Sequence, residues 1–131
     1  MALVNLLLIL AVAQFIVFAM LVASARGRYG VSAPATTGHE MFERYYRIHM
    51  NTLEMLIVLI PAVWIASTYW NAYFVATMIA IYLVGRILYF RAYLANPKSR
   101  TIGFSVSFLP ILALLLAGAG GAIWSMLQTG I

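Results

Sequence analysis

Arg44, Arg47, Asn51 and Glu54 recur at i, i+3, i+7 and i+10, the spacing that lines side chains along one face of a helix. A second set, Tyr82, Arg86, Tyr89 and Tyr93, recurs at i, i+4, i+7 and i+11. Both sets run into stretches that are otherwise apolar, where an unpaired charge is expensive. Arginine grips a carboxylate bidentately, and a glutamate receives an ammonium. Arg44, Arg47, Arg86 and Arg100 outnumber Glu43 and Glu54, so positive charge is left over. The chemistry suited to this set is the binding of an anion that also carries an amino group. A competing reading pairs Glu54 with an arginine simply to fix helix packing. Tyr89 and Tyr93 likewise suit either a ligand wall with hydroxyl donors or an interfacial aromatic belt.

The elements that must position these residues are membrane helices. Of 131 residues, 65% are hydrophobic and only 8% charged, which excludes an ordinary soluble domain and identifies an integral membrane protein. Leu3 to Ser24, Met55 to Gly85 and Thr101 to the C-terminus carry no charge. A spanning helix needs about 20 apolar residues, so the middle run is too long for one span and too short for two complete ones. A break at Ser67 to Asn71, where aromatics meet small polar residues, predicts four spans at about 3 to 24, 45 to 68, 72 to 94 and 102 to 127. The second and third spans then carry polar groups to membrane depth.

The expected fold class is all-α, an integral membrane four-helix bundle in one domain, 1–131. The first apolar stretch lacks a basic leader and exceeds the usual length of a signal-peptide core, so it reads as a retained span. Pro61 and Pro110 lie inside spans and predict kinks. The cluster Gly118-Ala-Gly-Gly121 has no preceding strand, so it reads as close helix packing rather than a nucleotide loop.

All eight basic residues lie in or beside the connections between spans 1 and 2 and spans 3 and 4. The positive-inside rule puts both connections in the cytoplasm and both termini opposite. The net charge of +5 thus answers to membrane topology, and no nucleic-acid partner is expected. There is no cysteine, so any sulfur chemistry arrives with a substrate. His39 falls in a loop and reads as solvated. His49 lies off the helix 2 stripe, although at a helix start it can reach a ligand or a subunit partner. Two histidines without a spaced third ligand make a poor metal site, and no metal is expected.

The segment Phe42 to Glu54, FERYYRIHMNTLE, resembles the signature F-E-R-x-x-R-x-H/Q-x-N-x-x-E of the MAPEG superfamily, membrane-associated proteins in eicosanoid and glutathione metabolism. Tyr82 to Arg100, YLVGRILYFRAYLANPKSR, resembles the helix 3 motif of its leukotriene C4 synthase and microsomal glutathione transferase 2 branch. The resemblance implies a left-handed four-helix bundle assembled as a homotrimer, with glutathione as cosubstrate bound between adjacent subunits near the cytoplasmic side. It assigns Arg47, Asn51 and Glu54 to holding glutathione, with Arg26 reaching it from a neighbouring subunit. It makes Arg86, Tyr89 and Tyr93 line the site and sets Arg100 beside the sulfur as the catalytic residue. A free cysteine thiol has a pKa of about 8.5, so a nearby guanidinium is needed to hold it as the thiolate at neutral pH. The second substrate implied is a lipophilic electrophile entering from the bilayer.

Two positions depart from the leukotriene synthase pattern. Met55 stands where that pattern has a tyrosine after the glutamate, and Gly27 follows Arg26 where it has a second arginine, with Arg28 displaced by one. These departures favour a broader glutathione transferase or peroxidase, as in bacterial members, over a dedicated leukotriene synthase. The rival from another class is a small four-helix multidrug transporter using Glu54 as its intramembrane carboxylate. The surrounding arginines argue against it, because they would repel a cationic drug. A non-catalytic membrane adaptor would need no such pocket.

Overall fold

The computed structural model describes residues 1–130 as four long helices: α1 (Ala2–Tyr29), α2 (Glu40–Tyr69), α3 (Ala72–Ala95) and α4 (Thr101–Thr129). Each is long and apolar enough to cross a membrane. A 3-10 turn at Pro97–Ser99 joins α3 to α4. α1 packs on α2 and α3, and α4 packs on the same pair from the other flank.

Local chemistry sets the helix ends. α1 stops at Gly30, whose φ of 70° and ψ of 32° place it in the left-handed region that glycine enters freely. α2 begins earlier than the predicted span, because His39 Nδ1 accepts the Met41 N–H at 3.1 Å and Glu40 and Glu43 occupy the first turn, where the helix dipole favours acids. His39 is thus a helix cap, stacked on Tyr29 at 4.5 Å, rather than a free loop side chain. The predicted break falls at Trp70 and Asn71. Asn71 Oδ1 accepts the Phe74 N–H at 2.9 Å and starts α3. Helical structure runs unbroken through Pro61 and Pro110.

The bundle is apolar outside and selectively polar within. Ile9, Met20, Trp64, Ile102, Leu116 and Trp124 are among its exposed side chains, whereas Asn51, Thr52, Arg86 and Ser107 are buried. In lipid there is no hydrophobic force between helices, so close packing and internal hydrogen bonds hold them together. Glycines permit that closeness. A Cβ on Gly85 would lie 2.6 Å from the Ser107 nitrogen, and one on Gly103 would lie 2.4 Å from the Tyr89 nitrogen, so α3 and α4 meet backbone to backbone. Gly118 and Gly121 similarly face Ile65 and Tyr69 of α2, while Gly120 has open space.

Candidate functional site

The α2 stripe forms at the basic end of the bundle as its spacing predicts. The Arg47 guanidinium and the Glu54 carboxylate meet at 3.3 Å, with 52% and 54% of their side chains exposed. Asn51, between them on the same face, donates from Nδ2 to Glu54 Oε2 at 3.4 Å. Both ends of the ion pair belong to α2, so it joins no two helices. The reading of Glu54 as an interhelical clamp therefore loses its support.

The clamp is Arg86 instead. It is fully buried on α3, donating from Nε to Ser107 Oγ of α4 at 2.8 Å and from Nη1 to Asn51 Oδ1 of α2 at 2.7 Å. Thr52 Oγ1 lies 3.5 Å from the same Nη1. The Tyr89 ring covers the guanidinium at 4.4 Å, with Tyr82 farther off at 6.0 Å. A charge at this depth persists because Nε and Nη1 find acceptors on two other helices and an aromatic ring covers its face, although Nη2 has no partner among the described residues. Arg86 thus reaches the α2 face through Asn51 rather than by opening directly onto it.

Tyr89 is itself buried, and its ring tilts against Tyr93 at 5.5 Å. Arg100 stands exposed at the start of α4, with Nη1 3.2 Å from the Pro97 carbonyl. It is a guanidinium held loosely at the rim.

Three polar residues sit apart from this group. Arg26 donates from Nη1 to the Ala35 carbonyl at 2.6 Å and lies 4.7 Å over the Phe42 ring, so within its own chain it pins the loop between α1 and α2. Arg44 donates to the Leu94 carbonyl at 2.7 Å and pairs with Glu40, closing the C-terminus of α3. That removes it from the free positive charge counted on the stripe. His49 turns toward α1 and stacks on Phe15 at 4.6 Å.

Beside Glu54 a groove of about 170 Å³ opens between α2 and α4, lined by Asn51, Met55, Val58, Phe104, Phe108 and Ile111. Polar groups mark one end, and the rest is hydrocarbon and aromatic. The buried Ser107, Thr52 and Gly103 escape a search for charged stripes. The small residues Gly103 and Ser107, four apart on α4, are the signal that would have marked this close crossing.

These features define an integral membrane protein with paired opposite charges open at one end of a helical bundle and an apolar groove beside them. The sequence comparisons agree: the MAPEG family model matches residues 4–120, and the chain belongs to that family. Human microsomal glutathione S-transferase 2 is 41% identical over 121 residues, covering 92% of this chain and 82% of the human protein. Bovine leukotriene C4 synthase is 30% identical over 106 residues, covering 81% of this chain and 71% of that protein. An uncharacterized protein of Synechocystis is 36% identical over 119 residues, covering 91% of this chain and 87% of its own length.

Proposed function

We propose that this protein is a membrane-bound glutathione transferase that activates glutathione as its thiolate. It conjugates the sulfur to lipophilic electrophiles, uses it to reduce lipid hydroperoxides, or does both. The observation that carries the reading is the half-exposed Arg47–Glu54 pair, aligned by Asn51 on one helix and released from packing duty by Arg86. Glutathione has two carboxylates, an ammonium, peptide groups and a thiol. Arg47 answers a carboxylate, Glu54 the ammonium and Asn51 a peptide group, exchanging a loose ion pair for stronger paired contacts. Arg100, exposed and 3.2 Å from only a backbone carbonyl, is free to turn its charge on the sulfur and favour the thiolate. In this reading Tyr89 and Tyr93, whose rings tilt together at 5.5 Å, line the site, and the Met55–Phe108 groove suits a lipophilic second substrate.

The assembly in this reading is a homotrimer with sites between subunits, in which Arg26 of one subunit reaches the glutathione of the next and His49 is available near the same junction. The basic connections face the cytoplasm, with a bacterial inner membrane as the setting. A multidrug transporter is disfavoured because Arg47, 3.3 Å from Glu54, would repel a drug that brings only positive charge, whereas glutathione also brings carboxylates for that arginine. The test is the ultraviolet absorbance of thiolate when detergent-solubilised protein is mixed with glutathione at neutral pH. A stoichiometric signal supports the enzyme. No signal and no glutathione binding at millimolar concentration, or a drug-driven proton flux that depends on Glu54, overturns it.

A further inference from the structure

The geometry points to Ser107 as a positioning residue for the glutathione-binding face, acting through Arg86 on the Asn51 amide; the inference rests on the reading of Asn51 and Glu54 as glutathione ligands. Ser107 is fully buried on α4, away from any ligand surface. Its hydroxyl has one proton, and that proton goes to the Gly103 carbonyl at 2.7 Å. What it turns toward α3 is therefore a lone pair, which receives Arg86 Nε–H at 2.8 Å.

A guanidinium is planar, so anchoring Nε limits where the other two nitrogens lie. Nη1 falls on Asn51 Oδ1 at 2.7 Å. Because arginine only donates, the asparagine oxygen must face it and the NH2 must point away. That NH2 meets Glu54 Oε2 at 3.4 Å, leaving Oε1 for Arg47 at 3.3 Å. A serine with no view of the ligand thus sets which end of an amide the ligand face presents.

The surroundings leave Ser107 little freedom. A Cβ on Gly85 would come within 2.7 Å of its oxygen, so α3 presses on the hydroxyl directly beside Arg86. Arg86 Nη2 already has no partner among the described residues. Removing the Ser107 oxygen would leave a second buried donor unmet, and the guanidinium would turn to share the remaining acceptors. The Asn51 amide would then lose its fixed orientation.

The experiment is a double-mutant cycle on glutathione binding, read by calorimetry on the intact detergent-solubilised protein, with Ser107→Ala, Asn51→Ala and the pair. Ser107→Ala is expected to weaken glutathione by about tenfold, the effect of one hydrogen bond to a charged group. It should raise KM for glutathione and leave kcat at saturation unchanged. The double variant should bind no more weakly than Asn51→Ala alone. Unchanged affinity in Ser107→Ala, or losses that simply add, overturns the proposal and leaves Ser107 a packing residue.

A ligand-free measurement separates this outcome from failure of the enzyme reading. The Arg86 Nε–H resonance should carry the shift of a hydrogen-bonded proton in the parent protein, and in Ser107→Ala it should move to that of a free one and exchange faster. If the parent protein binds no glutathione, the proposed function falls, and this resonance alone decides whether Ser107 anchors Arg86. Should Ser107→Ala fail to fold, Ser107→Cys puts a somewhat larger and weaker acceptor at the same position. An intermediate affinity supports the proposal, and parental affinity overturns it.

Discussion

Arg47 and Glu54 face one another across two turns of α2 at 3.3 Å, each about half exposed, in a bundle whose other deep arginine, Arg86, is fully enclosed. An exposed pair of this kind contributes about 0 to 1 kcal/mol to stability. Its two charges are therefore available to a ligand at little expense to the fold.

Replacing Glu54 with glutamine removes the charge that answers an ammonium and keeps the shape. Glutathione affinity is expected to fall by about tenfold or more, the worth of one charge-assisted contact. Unfolding temperature in detergent should barely move. Calorimetric titration with glutathione, alongside a thermal melt, checks both halves.

Arg100→Ala should abolish the thiolate absorbance at neutral pH while glutathione still binds. Turnover with a model electrophile is expected to fall by about 100-fold, as when one preorganised donor to a developing charge is removed. Raising the pH should recover part of the rate, because the uncatalysed thiol ionises near pH 8.5 by about its ordinary value. A rate profile across pH, measured on both proteins, reads this directly.

Met55 lines the groove beside Glu54. Met55→Tyr brings a rigid ring into a space of about 170 Å³. Bulky lipophilic electrophiles should lose about tenfold in kcat/KM, and small ones should change little, as expected when a pocket is narrowed by a few carbons. Steady-state rates with a size series of electrophiles supply the comparison.

Gly103→Ala places a methyl 2.4 Å from the Tyr89 nitrogen, forcing α3 and α4 apart. Overpacking of this kind costs about 1 to 3 kcal/mol, so the melting temperature should drop by several degrees. Gly120→Ala, which meets nothing within 4 Å, should melt like the parent protein.

The four helices and the α2 stripe were legible because length, hydropathy and helical period are properties of the chain itself. The division of labour among the arginines was not. Arg44 and Arg47 share one face and one charge, yet Arg44 closes the end of α3 and Arg47 stays at the ligand face. Only the position of a second helix separates them. Arg86 reads as part of a tyrosine stripe, but its partners come from α2 and α4, at sequence separations of 35 and 21. Ser107 is a small polar residue inside an apolar run, and Thr52 sits one position off the charged stripe, so charge periodicity marks neither. His39 looked like a loop residue because histidine is an unusual helix cap.

The short turn between α2 and α3 bears on how the bundle can move. Trp70 donates its indole N–H to the Ala117 carbonyl of α4 at 2.8 Å, fastening three helices within two connecting residues. The basic end has longer joints, from Gly30 to His39 and through Pro97–Ser99. The two ends are thus fastened by different means: an indole hydrogen bond beside a two-residue turn at one, and at the end that holds Arg47, Glu54 and Arg100 the grip of Arg44 on the last carbonyls of α3.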